Sequence, residues 1–172
     1  DENVKGILLS RNYGHQLALT AGLHACKGSL IAVLDADLQD PPELLPEMVA
    51  LLEKERADVV YGTRDSREGE SAFKLCTASL FYRILNWLSD IAIPQNTGDF
   101  RVMRKNVVDA LNAMPETFRF IRGMISWLGF KQIAYHYHRK ERQTGVTGYS
   151  LVKMIRLALD GVTGFSVRPL RL

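Results

Sequence analysis

An apolar run at residues 30–34 breaks abruptly into Asp35, Ala36 and Asp37, followed by Gln39, Asp40 and the pair Pro41 and Pro42. Two carboxylates two residues apart share a face if the strand continues, and in a tight turn both can reach one ion. Carboxylate oxygens suit Mg2+ or Mn2+, and such ions commonly bridge a protein to the phosphates of a substrate. Gln39 adds a neutral oxygen at the same parity. A strand that delivers carboxylates to its C-terminal tip is a common way to hold a divalent cation at the edge of a parallel sheet. A second reading stands beside this one. An acidic cluster ahead of a helix caps it and complements its dipole, and Asp40, just before Pro41, fits that role.

The elements that must position these groups follow from periodicity. Residues 4–9 read as a short strand, broken by the turn chemistry of Arg11, Asn12, Tyr13 and Gly14. Residues 15–26 have helical spacing, with Leu17, Ala21, His24 and Ala25 near one face and Gly28 suited to a left-handed cap. After the strand at 30–34, Pro42 can open a helix that continues through residues 44–55. Residues 57–61 form another buried-strand pattern, ending in Gly62, Thr63 and Arg64. Strand, helix, strand, helix, strand with short joins implies a parallel sheet with helices on both faces. Further on, residues 72–89 read as a long amphipathic helix and residues 95–99 as a turn leading into Phe100, Arg101 and Val102. Residues 106–114 and 119–128 read as short helices, the second ended by Gly129, and residues 131–138 as a strand. Residues 139–148 form a basic, glycine-bearing loop, and 149–159 a basic amphipathic helix before a mixed tail. His15 and His24 show no partner. His136 and His138 read as polar teeth of an amphipathic strand rather than as metal ligands.

The 172 residues can hold one domain with a full core. A hydrophobic content of 47% with 24% charged residues excludes wholesale disorder. No apolar run reaches membrane-spanning length. Cys26 and Cys76 each lie in an apolar helical pattern, so buried free thiols are expected rather than a disulfide or metal pair. The net charge of +3 hides an asymmetry: residues 1–100 carry 9 Lys and Arg against 15 Asp and Glu, and residues 101–172 carry 13 against 4. A basic second half points to an anionic partner such as a phosphate or a membrane surface. It lacks the aromatic-interleaved pattern of a nucleic-acid binder, so no nucleic-acid partner is expected. The chain opens without an initiator Met and enters a strand pattern within three residues, the expected look of a piece of a longer protein.

Several blocks in order carry a likeness. They are Asn12-Tyr13-Gly14, Ala21-Gly22, Ala25-x-x-Gly28, the run from Asp35 to Glu43, Gly62-Thr63-Arg64, Phe81-Tyr82 with Asn86, and Thr97-Gly98-Asp99-Phe100-Arg101. Phe120 with Arg122-Gly123, Trp127-Leu128-Gly129-Phe130, Arg142-x-x-Gly145 and Phe165-Ser166-x-x-Pro169-Leu170 continue it. Together they resemble a family-2 glycosyltransferase of the GT-A fold, and most closely the polyprenyl-phosphate branch of dolichyl-phosphate mannosyltransferases and bactoprenol glucosyltransferases. A phosphoaspartyl hydrolase also begins Asp-x-Asp after a strand, but usually continues to a Thr where this chain has Gln39. The resemblance implies an α/β fold: a GT-A (Rossmann-like) parallel-core sheet with flanking helices, truncated at its N-terminal side. It implies a partial catalytic domain at residues 1–148 and a juxtamembrane amphipathic helix and tail at 149–172. The implied reaction is an inverting transfer, dependent on Mg2+ or Mn2+, of a sugar from a UDP- or GDP-sugar to a polyprenyl phosphate. The implied place is the cytoplasmic face of a membrane, and a homo-oligomer is compatible with it.

Carried over residue by residue, Asp35 lies near the nucleotide and the metal, with Asp37 and Gln39 coordinating the ion. Arg142, Gly145 and Thr147 match the donor-diphosphate loop, where Arg can grip bidentately and Gly lets the backbone approach. Arg64 and Lys74 match acceptor-phosphate positions. Asp99 matches the candidate catalytic base, though an acceptor phosphate that is already ionised leaves it free to bind sugar hydroxyls or steady positive charge developing on the ring instead; Arg101 could support it as an ion-pair partner or touch the substrate. The chain departs from the branch in two places. Leu75 and Cys76 follow Lys74 where relatives carry more basic residues, and Gly148 stands where the branch has Lys after the hydroxyl residue. Lys153 or Arg139 would have to supply that cation. The family's opening strands, which help hold base and ribose, are not in this sequence. Lys153, Arg156, Arg168 and Arg171 are expected to face anionic headgroups. Two other functions fit the same residues: a family-2 enzyme with a hydroxyl acceptor, which would need Asp99 as a base, and a non-catalytic lipid-surface module.

Overall fold

The computed structural model describes residues 2–37, 39–64, 97–117 and 119–137. Four strands, β1 (Leu30–Val33), β2 (Val59–Arg64), β3 (Thr97–Arg104) and β4 (Gln132–Tyr137), form one sheet in the order β1-β3-β2-β4. Four helices, α1 (His15–Ala25), α2 (Leu45–Lys54), α3 (Lys105–Ala113) and α4 (Ile121–Trp127), flank it, and a 3₁₀ turn at Pro42–Leu44 leads into α2. The expected α/β class is met. β1, β2 and β4 all run in one direction, since β1 and β2 are both antiparallel to β3 while β2 and β4 are parallel.

The arrangement differs from the expected run of neighbouring parallel strands in one respect: β3 lies between β1 and β2. Residues 97–99 belong to this strand rather than to a turn, and every residue from Thr97 to Met103 is buried. The apolar period is hidden there because Asp99 and Arg101 occupy the inward positions of one face.

Side-chain alternation sorts the core into two layers. Ile31, Val33, Val59 and Met103 pack with Leu23 of α1, Val107, Val108 and Leu111 of α3, and Ile121, Met124 and Ile125 of α4. On the other face Val60, Phe100, Val102 and Tyr137 pack with Met48 and Leu52 of α2. Each such fully buried aliphatic side chain contributes roughly 1.5–3 kcal/mol. Parity therefore puts Asp99, Arg101 and Met103 on the face covered by α1 and α4. This placement builds the site.

Other expectations are corrected. Residues 4–9 form no strand: Val4 is 74% and Leu8 98% exposed. Among the described residues no strand lies beside this run, and an isolated strand leaves its backbone groups to water. In α1 Leu23 is buried, with Leu19 and, just past the helix, Cys26 partly buried against the same layer, while Leu17, His24 and Ala25 are exposed. The helix ends where Cys26 turns extended (φ −70°), so Gly28 supplies no left-handed cap. Cys26 is a free thiol, as expected. The turn before α1 is as expected: Asn12 Oδ1 accepts from the Gly14 N–H (2.8 Å), and Gly14 adopts φ 86°. Gly129, at φ 75°, closes α4. That helix starts at Ile121 because Arg119 instead donates to the Leu111 and Met114 carbonyls at the end of α3. The expected elements at 72–89 and 149–159 lie outside the described residues. Among those described, no helix is long and apolar enough to cross a membrane.

Gly62 shows how tightly the α2 layer is packed. A Cβ there would sit 2.8 Å from both Phe100 Cδ1 and Tyr137 Cε1. Gly62→Ala should therefore destabilise the fold by about 1–3 kcal/mol through overpacking. Urea unfolding measures this, and an unchanged midpoint would refute the packing argument.

Candidate functional site

Asp99 is 3% exposed in the middle of the site, and three cationic side chains from three elements converge on it. His15, the first residue of α1, makes a 2.7 Å hydrogen bond through Nε2 to Asp99 Oδ2. Arg122 of α4 donates from Nε to Asp99 Oδ1 at 3.0 Å and from Nη1 to the Thr97 carbonyl at 2.7 Å. Arg101, two residues along β3, lies 3.5 Å from Oδ1 and donates to the carbonyls of Gly98 and Asp99. Burial pushes the Arg101 guanidinium down to about 10 with Arg122's charge adding, while Asp99 opposes; it remains a cation at neutral pH.

Burial by itself would raise the Asp99 carboxyl. The His15 hydrogen bond and the charges of Arg122 and Arg101 outweigh it, and hold the group well below the usual carboxylate range. His15 is raised from its ordinary 6.5, first by its bond to Asp99, against partial desolvation. The pairing of Arg101 with Asp99 was among the sequence expectations. The pairing of His15, which looked partnerless, was not, and neither was Arg122.

The carboxylate loop meets this cluster through strand register. Val33 stands opposite Arg101, so continuing the antiparallel pairing by two residues puts Asp35 opposite Asp99. One side-chain ligand atom each of His15, Asp35 and Asp99 falls within 4.8 Å of the others. Asp35 is half-buried. Desolvation raises its carboxyl first, and the negative charges of Asp99, Asp40 and Asp37 add to that, with His15 opposing. Asp37 Oδ1 accepts from the Gln39 backbone N–H (3.1 Å), an Asx-type turn, and Gln39 is buried. Asp40 caps no helix: neither the 3₁₀ turn nor α2 has a side-chain cap, and Asp40 Oδ1 instead accepts the Tyr137 hydroxyl at 2.5 Å.

Of the residues expected to act, Asp35 and Asp99 are brought together, with Arg101 behind Asp99. Asp37 and Gln39 lie on the same loop beyond Asp35. Arg64 ends β2, where it pairs with Tyr137 of β4. Lys74, Arg142, Gly145 and Thr147 lie outside the described residues. His136 is exposed on β4.

The donor set suits a hard divalent cation. Asp35 carries a carboxyl destabilised by neighbouring negative charge, which a cation relieves.

Residues 1–111 match the family described as Glycosyl transferase family 2. The fold, the strand-tip carboxylates and this match define the class: the chain belongs to glycosyltransferase family 2. It is 51% identical over 172 residues to an uncharacterized glycosyltransferase, YkcC, of Bacillus subtilis (strain 168), covering all of this chain and 53% of that protein. It is 40% identical over 172 residues to a prophage bactoprenol glucosyl transferase homolog of Escherichia coli (strain K12), covering all of this chain and 56% of that one. It is 38% identical over 171 residues to the bactoprenol glucosyl transferase of Shigella phage SfV, covering 99% of this chain and 55% of that protein. The chain thus spans about half the length of the curated relatives it matches.

The His15–Asp99 pair has a defined pH signature. Asp99 is lowered in the fold, so its contribution is present above the ordinary 3.8 and is lost as pH falls through the folded value. His15 is raised, so its contribution is complete below 6.5 and is lost as pH rises through the folded value. The stability gap between wild type and His15→Ala should be widest from about pH 4 to 6.5 and shrink above it. Urea melts across pH 4.5–8.5 test this, and a pH-independent gap would refute the ion pair.

Proposed function

We propose that this chain is catalytic machinery for an inverting, metal-assisted transfer of a sugar from a nucleoside diphosphate to a polyprenyl phosphate. The observation that carries the reading is the junction of Asp35, at the tip of β1, with the cation-locked Asp99 of β3. Kinship to proteins whose names specify bactoprenol glucosyl transfer supports the acceptor class. The basic second half of the sequence supports work at an anionic surface, the cytoplasmic face of a membrane. The juxtamembrane role of residues 149–172, with residues 1–148 as the catalytic part, belongs to the same proposal.

Asp35 and Asp37, with Gln39 beside them, would hold Mg2+ or Mn2+. When bound, the ion supplies neutralisation of the charge that grows on the departing diphosphate. Arg142, Gly145 and Thr147 would grip that diphosphate, and Arg64 and Lys74 the acceptor phosphate. Asp99 orients rather than abstracts. A general base works best with a pKa near the operating pH, and Asp99 is held far below it by three partners. A phosphate monoester, with a second pKa near ~6, arrives largely ionised and needs no base. Asp99 then steadies the sugar as a fixed anion, and Arg101 and Arg122 keep it in place.

One observation favours a second reading, a hydroxyl acceptor. A half-exposed His bonded to a buried carboxylate is a proton-accepting pair, and His15–Asp99 has that form. Rate profiles on the full-length protein separate the two. With a phosphate acceptor, Asp99→Asn should weaken transfer without creating or removing a basic limb. With a hydroxyl acceptor, it should abolish transfer at every pH. Asp37→Ala should eliminate Mn2+-dependent binding of the nucleotide-sugar and lower transfer by on the order of a hundredfold or more. Unaltered Mn2+-dependent donor binding in that variant would remove Asp37 from the ion site. A wild-type protein with no donor binding at all would favour a lipid-surface module.

A further inference from the structure

The carboxylate loop leaves β1, at one side of the described sheet, and is caught by a side chain from β4, at the other. From Val33 to Asp40 there are seven residue steps. Extended, that length reaches roughly 23 Å, whereas three interstrand spacings span only about 14 Å. The loop therefore has slack, and strand pairing at Val33 cannot alone set where Asp35, Asp37 and Gln39 stand. The second anchor is the bond from the Tyr137 hydroxyl to Asp40 Oδ1. At 2.5 Å it lies in the range of charge-assisted bonds, with Asp40 1% and Tyr137 4% exposed.

The Tyr137 ring is itself fixed. It meets Phe100 of β3 edge-on, with centroids 5.5 Å apart and planes at 72°. It can do so across β2 because Gly62 leaves the space that a Cβ would fill. Phe100, Gly62 and Tyr137 thus form a buried seat on three strands, and the hydroxyl on that seat holds the far end of the loop.

We infer that Tyr137 and Asp40 are positioning residues that latch the strand-tip loop, so that its carboxylates are pre-arranged for the divalent cation. The inference rests on the metal-assisted reading above. Neither residue is needed to touch the ion; they act on the residues between the two anchors, as outer-shell partners act on metal ligands.

The test is Mn2+ binding to the full-length protein, followed by electron paramagnetic resonance of free Mn2+, with no substrate present. Tyr137→Phe keeps the ring on its seat and removes the hydroxyl that makes the latch, so it should weaken Mn2+ binding about tenfold, the scale of an outer-shell loss. In turnover, the half-saturating Mn2+ concentration should rise by a similar factor while the rate at saturating Mn2+ changes little. A pair of variants at Asp40 guards against a general loss of structure. Asp40→Asn and Asp40→Ala remove the same charge, but only Asn leaves an oxygen for the phenol. Tighter Mn2+ binding by Asp40→Asn than by Asp40→Ala supports the latch, and equal affinities overturn it. Tyr137→Phe with a lowered melting temperature but wild-type Mn2+ affinity also overturns it, leaving a purely structural bond. Wild-type protein that binds no Mn2+ overturns the metal reading and the latch together, whereas wild-type binding with an indifferent Tyr137→Phe overturns the latch alone.

Discussion

The buried Asp99 carboxylate is the constraint on which the described part of this molecule depends. A carboxylate withdrawn from water is costly unless charges and hydrogen bonds replace its hydration. Here the replacements come from the first residue of α1, from β3 itself and from α4. Removing one partner of such a group typically costs about 3–5 kcal/mol, because the remaining charges are left uncompensated. The interaction therefore does more than join two side chains. It sets where α1 begins, how α4 lies over the sheet and which face of β3 is polar. Gln16 adds a neutral stitch in the same place, its Oε1 accepting the Ile121 N–H at 3.0 Å.

That constraint also explains the site's electrostatics. The antiparallel insertion of β3 places a second acid opposite the tip of β1, which would crowd two anions together. Arg101 and Arg122 relieve the crowding on one side only. Asp35 is left as the poorly compensated member: burial and the charges of Asp99, Asp40 and Asp37 raise its carboxyl, with His15 opposing. The asymmetry comes from the strand order, since a neighbouring parallel β2 would not bring Asp99 there.

The sequence was most legible where apolar periodicity was local and uninterrupted. β1, α2, β2, α3 and β4 fall within a few residues of their expected places, because each carries a local apolar run that packs into one or both layers. Residues 4–9 have the same apolar look, yet a strand needs a partner, and none of the described residues supplies one. β3 was half seen, because an Asp and an Arg at its inward positions imitate a turn. The His15–Asp99 contact joins residues 84 apart, which no local pattern reveals. Arg122 did leave a signal: one cation in the apolar stretch from Phe120 to Ile125, where burial demands a buried anion nearby. The role of Asp40 is hidden for a related reason. Its neighbours Pro41 and Pro42 suggest a helix entry, but its hydrogen-bond partner is 97 residues away.

The same long-range bonds bear on what kind of acceptor this architecture suits. Around Asp99 two arginines and His15 meet two acids, Asp99 itself and the half-buried Asp35. An incoming phosphate carries between one and two negative charges near neutral pH. Under the function proposed above, a bare carboxylate pair would repel it, and the two arginines and His15 would offset that repulsion. The cations that hold Asp99 ionised weaken it as a proton acceptor. The arrangement thus trades basicity for charge compensation. Under the function proposed above, that exchange suits an acceptor that comes already deprotonated.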